Sequence, residues 1–307
     1  MLPIIYYETT VLYLDDNKKF LNLIESSNIS NRNVFSTNAG IIKEHINKEK
    51  NNIAITAEVD IGETQERYIK YNLSNLKLRL DESNKENEIS VLVVDYDMPK
   101  VDGINFCKTV NKINSNIYKI FLTGAAEKDE VINAMQDGLI DFYISKSDQN
   151  LMDKLRLAVL KGKKEYFRKT CRELHKILLN KGIYKTYIDD LNYINFMNNI
   201  VSSETIGEYC LIEDIGSYFM KAENREKLII ISDEEKQKGT VEYLKDMIDQ
   251  KLEREILEGL QILDIYSLEN DKLVDGKSIM YDKYICPSEE IKGLEKVFFI
   301  TKVIKNN

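Results

Sequence analysis

The sequence predicts an α/β protein: a doubly wound, five-stranded parallel sheet joined by a long helix to a smaller α+β domain with an antiparallel sheet. Short apolar runs alternate with helical patterns through the first half of the chain, as in a parallel sheet covered by helices. A long helical pattern follows, and strand patterns with hairpin signals fill the remainder. With 307 residues, the chain is long enough for two domains.

Five strands of the first domain, residues 1–148, follow from their apolar runs and the helical periodicity between them. They are predicted at 11–14, 33–37, 90–94, 117–123 and 141–145. Residues 50–88 interrupt this alternation, and they are too many for a plain connection in a compact domain. We therefore expect an ordered insertion after the second helix. An alternative register makes residues 53–61 the second strand of the sheet.

The chain after the sheet is predicted to be helical from Leu151 to Asn180. We assign residues 149–185 to a helical linker and residues 186–307 to the α+β domain. The stretch 154–185 is rich in lysine and arginine and contains two acidic residues. Such a run is most simply a solvated helix face, and the alternative is a surface that docks on an acidic partner.

Turn and capping signals organise the α+β domain. Residues 207–212 and 216–222 flank a short polar turn and predict a hairpin, and residues 226–231 supply a third strand. Ser232, with Glu235 three residues later, predicts the N-cap of the next helix.

Composition excludes several classes of protein. No apolar run approaches the roughly 18 residues that a membrane helix needs, and the N-terminal stretch lacks the features of a signal peptide. We therefore expect a cytoplasmic protein without a membrane partner. Four cysteines without C-x-x-C spacing and two histidines argue against a disulfide framework, a zinc site and a histidine-based triad. The net charge of −8 argues against nucleic-acid binding.

Acidic residues follow two of the predicted strands. Asp15 and Asp16 come after the first strand, and Asp95 and Asp97 come at the end of the third. In a parallel sheet with right-handed crossovers, ligands gather outside the carboxyl ends of the strands. We therefore expect these carboxylates to meet, although they are far apart along the chain.

A cation is needed to hold three carboxylates close together, and oxygen ligands favour Mg²⁺. The fourth strand ends in Thr123, a hydroxyl donor, and the fifth leads to Lys146, an ammonium group. Metal and lysine can neutralise phosphoryl oxygens while one carboxylate attacks phosphorus. The pattern thus predicts a phosphoryl-transfer site whose product is an aspartyl phosphate.

The segments "VLVVDYDMPKVDG", "FLTGAA" and "FYISK", with Asp15 and Asp16, resemble the receiver domain of two-component response regulators, the CheY-like family with a flavodoxin-like fold. The resemblance covers residues 11–161. It implies that Asp95 is the phosphoacceptor, that Asp15, Asp16, Asp95 and the backbone carbonyl of Asp97 bind Mg²⁺, and that Thr123, Gly124, Tyr143 and Lys146 are phosphate-binding and switch residues.

The same resemblance implies a sensor histidine kinase as partner, a phosphorelay role and a homodimer on phosphorylation, with no separate enzymatic activity in the output domain. Two features depart from the family. Ser147 stands where receivers usually have proline after the lysine, so a cis peptide there would cost roughly 2.5–4 kcal/mol without proline's help. The insertion at 50–88 is the other.

A narrower resemblance extends over nearly the whole chain. Together with the segments above, "GEYCLIEDIGSYFMKA" and "YDKYICPSEEIKGLEKVFFITKV" resemble the Lqs-type (Legionella quorum sensing) response regulators. Membership of that group would imply control of density-dependent behaviour.

Three other functions fit the sequence less well. A haloacid-dehalogenase-like phosphatase would use Asp95 and Asp97, but Pro99 stands where such enzymes have threonine or valine. A nucleotide-binding enzyme would need a glycine at Asp271 to complete a phosphate loop around "DGKS". A DNA-binding regulator would use the basic helix 154–185, although the strand-rich segment around it is unlike a helix-turn-helix reader.

Overall fold

The structure is a computed structural model of the chain. It describes residues 2–48, 57–61, 67–71, 76–77, 80, 85, 88–99, 101–124, 128–180, 186–223, 225–264, 281–294 and 297–305. The chain divides into two compact units. The parallel-sheet unit comprises Pro3–Thr56 and Leu78–Glu173, and the antiparallel-sheet unit comprises Met1–Leu2, Ala57–Lys77 and Leu174–Asn307.

The strands within the described residues are β1 (Ile5–Tyr6), β2 (Thr10–Leu14), β3 (Asn33–Ser36), β4 (Ala57–Ile61), β5 (Arg67–Tyr71), β6 (Ile89–Asp95), β7 (Asp97–Met98), β8 (Val101–Asp102), β9 (Tyr118–Thr123), β10 (Phe142–Ser145), β11 (Glu208–Leu211), β12 (Tyr218–Ala222), β13 (Arg225–Ser232), β14 (Gln261–Leu263), β15 (Ile285–Pro287), β16 (Glu289–Lys292) and β17 (Val297–Lys305).

The helices in the same part of the chain are α1 (Lys18–Ser26), α2 (Ala39–Lys48), α3 (Gly103–Ile113), α4 (Lys128–Gln136), α5 (Leu151–Thr170), α6 (Arg172–Leu178), α7 (Leu191–Ser203), α8 (Glu234–Leu244) and α9 (Gln250–Leu257), with one 3₁₀ turn at Tyr281–Tyr284. Where the chain is described, no helix is both long enough and apolar enough to cross a membrane.

The parallel-sheet unit is built on five strands in the order β10-β9-β6-β2-β3, and each neighbouring pair is parallel. Numbered within this sheet, the order is 2-1-3-4-5, one of the common orders of doubly wound folds. The prediction of a doubly wound, five-stranded parallel sheet is confirmed. The alternative register for residues 53–61 is wrong, because β3 takes the place beside β2 and β4 pairs antiparallel with β5.

Burial explains why the central strand is the most apolar. All seven residues of β6 are buried, as expected for a strand covered by helices on both faces. The helix α5 lies so close to the sheet that a Cβ atom added at Gly162 would be 2.7 Å from Cδ1 of Tyr118 and 2.9 Å from Cγ2 of Val91. Glycine at this position therefore sets the distance between helix and sheet.

The long helix differs from its prediction. The pattern from Leu151 to Asn180 forms two helices, because α5 ends at Thr170 and α6 begins at Arg172. The hydroxyl of Thr170 donates a hydrogen bond of 2.8 Å to the carbonyl of Tyr166, a local bond that competes with continuation of a helix.

In the main sheet of the antiparallel-sheet unit, neighbouring strands follow the order β11-β12-β13-β17-β16. The predicted hairpin forms from β11 and β12, and β13 follows as the third strand. Ser232 is not the N-cap of α8. It belongs to β13 and pairs with Phe299, so Asp233 is the cap and accepts a hydrogen bond of 2.9 Å from the backbone N–H of Lys236.

Candidate functional site

The carboxyl ends of β2 and β6 lie side by side. The register pairs Leu14 with Val94, so the residues that follow, Asp15 and Asp95, come next to each other at the same edge of the sheet. This is the point where the order of the strands reverses, and ligands of doubly wound sheets bind in the crevice there. The fold therefore brings the two predicted acidic segments together.

Three carboxylates form a compact cluster at this edge. One oxygen from each of Asp15, Asp16 and Asp95 lies within 4.8 Å of the others. Asp15 and Asp95 are buried, at 1% and 5% exposure, while Asp16 is open to solvent. Hard oxygen donors with one open side suit a divalent ion that keeps part of its water shell. The donor set fits Mg²⁺.

Lys146 supplies the positive charge of the site. Its ammonium nitrogen lies 2.8 Å from Oδ2 of Asp15 and 2.7 Å from Oδ2 of Asp95. The same nitrogen is 4.9 Å from the ring centroid of Phe20, close enough for a cation–π interaction. Phe20 is not among the predicted site residues; its position in the first turn of α1, just after the acidic pair, is the signal that could have identified it.

The surroundings of the site raise the pKa values of both Asp95 and Lys146. Burial raises the pKa of Asp95, and the neighbouring charge of Asp15 adds to this, while the hydrogen bond from Lys146 acts in the opposite direction. Burial alone would lower the pKa of Lys146, but its hydrogen bonds to Asp15 and Asp95 outweigh that effect and the pKa is raised. The lysine therefore stays protonated beside a carboxylate that is costly to ionise.

Asp15 and Asp16 do not cap the following helix. The N-cap of α1 is Asn17, whose side chain accepts hydrogen bonds of 3.1 Å from the N–H of Lys19 and 3.2 Å from that of Phe20. Oδ1 of Asp15 accepts a hydrogen bond of 2.9 Å from the N–H of Asn17, which fixes its orientation in the loop. The acidic pair is thus available for another role.

The remaining predicted residues lie on, or next to, strands β7, β9 and β10. Thr123 is the last residue of β9 and is buried, with its hydroxyl donating to the carbonyl of Gly124 at 3.0 Å. Gly124 is exposed, and a Cβ atom added to it would meet nothing within 4 Å. Tyr143 is half-buried in β10, and the side chain of Asp97 is exposed in β7.

Two further features near Asp95 were not predicted. A Cβ atom added to Gly103 would lie 2.6 Å from the carbonyl oxygen of Asp95, so the start of α3 packs directly on the backbone of that residue. The hydroxyl of Tyr96 donates a hydrogen bond to Glu130 of α4, and its ring makes an edge contact with Phe121. Asp102 is the N-cap of α3, and Gly103 directly follows it; of the two features, only this glycine could have been suspected from the sequence.

Comparison with protein families identifies one domain. Residues 65–156 match the model of the response regulator receiver domain. The matched segment includes Asp95, Thr123 and Lys146, while Asp15 and Asp16 lie before it, in the loop that follows β2. Asp15 and Asp95 are far apart along the chain, and the parallel pairing of β2 with β6 brings them side by side. No curated protein matches the chain.

Solved structures resemble the chain to different extents. The response regulator LqsR of Legionella pneumophila matches 99% of this chain and 89% of its own length, with 20% identity and a TM-score of 0.76. An adenylate cyclase from Rhodopirellula baltica matches 55% of this chain and 97% of its own, with 18% identity and a TM-score of 0.40. A receiver domain protein from Clostridium thermocellum matches 53% and 98%, with 20% identity and a TM-score of 0.34.

The family match, the strand order and the acidic cluster agree with one another, and the match to LqsR extends over both units. Residues 65–156 thus match the model of a response regulator receiver domain, and over nearly its whole length the chain has the fold of LqsR.

Proposed function

We propose that this protein is a phosphorylation switch, in which a sensor histidine kinase transfers a phosphoryl group to Asp95. The observation that carries the proposal is the convergence of Asp15, Asp16 and Asp95 within 4.8 Å, with the ammonium of Lys146 2.7 Å from Asp95. A receiver domain supports two-component signalling in general. The identity of the acceptor and of the donor is the proposed part.

In the proposed site, Asp15, Asp16 and Asp95, with the backbone carbonyl of Asp97, would hold Mg²⁺. When bound, the ion would neutralise negative charge on the phosphoryl oxygens. The fit rests on the donors, since three clustered carboxylates repel one another unless a cation is shared among them. Lys146 is the cation that this chain itself provides.

The chemistry assigned to the side chains is a displacement at phosphorus. A carboxylate oxygen of Asp95 forms a bond to phosphorus as the nitrogen–phosphorus bond of a phosphohistidine breaks, and the imidazole nitrogen keeps the electron pair and takes up a proton. Lys146 stays protonated and orients the phosphoryl oxygens. Gly124 leaves space for them, and Thr123 donates its hydroxyl to one.

The output step is assigned to the region around α4, β10 and α5. Movement of Thr123 toward the phosphoryl group would free space for Tyr143 to turn inward and change the packing of this face. We propose that this change promotes homodimerisation or alters what the α+β domain binds, without a separate enzymatic activity. Control of density-dependent behaviour is proposed on the resemblance to the Lqs-type regulators.

The experiment uses the full chain, Mg²⁺ and acetyl phosphate as donor, followed by intact mass and by light scattering for oligomeric state. We expect a phosphoryl mass on the native chain, none on Asp95→Asn, and none after addition of a chelator. The matched control is Asp97→Asn, whose side chain is exposed and is assigned only a backbone role, and it should retain the mass gain. An equal gain on Asp95→Asn would overturn the assignment of the acceptor.

A further inference from the structure

Lys146 is held at its backbone as well as at its ammonium group. It directly follows β10, and its N–H donates a hydrogen bond of 2.8 Å to the carbonyl of Thr123 at the end of β9. From this point its side chain reaches Asp15 and Asp95. The position of the ammonium therefore depends on how firmly the chain on either side of Lys146 is held.

Two serines flank this lysine and bond to each other. The hydroxyl oxygens of Ser145 and Ser147 are 2.8 Å apart, and the N–H of Ser147 donates to the hydroxyl of Ser145 at 3.3 Å. We call this pair of contacts the serine bridge. It closes a small ring that contains the backbone of Lys146, so it restricts the rotations on both sides of that residue.

Backbone hydrogen bonds connect the chain after the bridge to the start of α5. The N–H of Asp148 donates to the carbonyl of Ser145 at 3.0 Å, and that of Leu151 donates to the carbonyl of Asp148 at 3.2 Å. The side chain of Asp148 also accepts a hydrogen bond of 2.9 Å from the N–H of Asn150. The serine bridge thus lies between a fixed strand end and a fixed helix start.

This restriction matters because the peptide bond after Lys146 is trans and the next residue has no ring to limit its backbone. Lysine has a long, flexible side chain, and its ammonium must satisfy two carboxylates at once. A displacement of about 1 Å at a catalytic group is enough to slow a reaction substantially. Hydroxyl bonds to neighbouring backbone are one way to order such a turn.

We propose that the serine bridge positions Lys146 for phosphoryl transfer to Asp95. This inference rests on the proposed function of that site and assigns Ser145 and Ser147 a positioning role. Neither hydroxyl has a part in the chemistry itself. The bridge sets the base of the lysine side chain, and the lysine makes the contact with the phosphoryl group.

The test measures initial rates of phosphorylation by acetyl phosphate in the full chain with Mg²⁺, over a range of donor concentrations. We expect Ser145→Ala to lower the maximal rate about three- to tenfold, the size of one lost hydrogen bond, with an unchanged half-saturating donor concentration and a Tm lowered by no more than about 2–4 °C. Ser145→Thr, which keeps the hydroxyl and suits a strand, should restore the rate. Ser26→Ala removes an exposed hydroxyl bond elsewhere and is the matched control.

A second comparison separates positioning from a general effect on the loop. In a Lys146→Met background there is no ammonium to position, so Ser145→Ala should cause no further loss. The same loss in that background, or native rates in Ser145→Ala alone, would overturn the inference.

Failure of the native chain to gain phosphoryl mass would instead reject the proposed function. In that event, amide hydrogen exchange at residues 146–148 still tests whether the serine bridge holds the turn. Faster exchange in Ser145→Ala would support this role of the bridge, and unchanged exchange would reject it.

Discussion

The ammonium nitrogen of Lys146 lies 2.7 Å from Oδ2 of Asp95, in a site where Asp15 and Asp16 add two further carboxylates. In the absence of a metal ion, this lysine is the cation that offsets their repulsion. The ion pair therefore has two effects that can be separated by experiment. We expect it to stabilise the metal-free fold, and it would compete with a divalent ion for the same oxygens.

Replacement of Lys146 by methionine tests both effects. We expect the free energy of unfolding in a chelator to fall by about 1–3 kcal/mol, because two buried carboxylates lose their partner. We also expect Mg²⁺ to bind about tenfold more tightly, since the competing charge is gone. Thermal unfolding and calorimetric titration measure these quantities. Lys154→Met, which removes an exposed lysine paired with Asp148, is the control and should change neither.

Asp16 offers a complementary test at the solvent side of the cluster. Asp16→Asn removes one negative charge from the cluster, so the metal-free fold should be at least as stable as the native chain, because repulsion among the carboxylates falls. Mg²⁺ affinity should fall at least tenfold, because a carboxylate ligand is replaced by a neutral amide. The control is Asp97→Asn. An unchanged Mg²⁺ affinity in Asp16→Asn would show that the ion does not use this residue.

Gly103 is predicted to be intolerant of even a methyl group. The added atom would lie 2.6 Å from the carbonyl oxygen of Asp95, and relief would require movement of the backbone that carries the proposed acceptor. We expect Gly103→Ala to reduce the free energy of unfolding by about 1–3 kcal/mol and to slow phosphorylation. Gly207→Ala is the matched control, since a Cβ atom there meets nothing within 4 Å. Equal stability of the two variants would contradict this prediction.

The raised pKa of Asp95 predicts that the free energy of unfolding depends on pH. Burial is the main cause of the shift, so the ionised form is less favourable in the folded chain than in the unfolded one. In the unfolded chain this aspartate has a pKa of about 3.9. The free energy of unfolding therefore decreases as the pH rises from this value through the higher pKa of the folded chain.

Asp95→Asn lacks this titration. With a chelator present, the free energy of unfolding of Asp95→Asn should increase relative to that of the native chain as the pH rises from the unfolded pKa to the folded pKa of Asp95. Above the folded pKa the difference should stay constant. Denaturant unfolding of both chains at several pH values measures the difference. A difference that is constant with pH would mean that burial does not penalise the Asp95 carboxylate.

Much of the receiver fold could be predicted because its strands are nearly continuous apolar runs. The predicted segment at 90–94 is one residue shorter than β6 at each end, and that at 117–123 begins one residue before β9. Asp95 is the last residue of β6, where its apolar run stops. A parallel sheet then leaves little freedom in where the ends meet. The convergence of Asp15 and Asp95 followed from that constraint.

Details that depend on tertiary contacts could not be obtained in this way. Ser232 and Asp233 are both good capping residues, and the choice between them depends on how far β13 continues in its pairing with β17. The helix break at Cys171 and the closeness of Gly103 to Asp95 are likewise properties of packing. Part of the insertion, including Ile53 and Leu73, lies outside the described residues.

The absence of a side chain at Gly162 has a consequence for how α5 can move. Because Tyr118 and Val91 leave no room for a methyl group there, the helix cannot move closer to the sheet at this position. The end that begins at Leu151, next to Lys146, lies roughly 16 Å along the axis from this pivot, and the end at Thr170 lies roughly 12 Å beyond it. A tilt of α5 about this position would therefore displace its two ends in opposite directions.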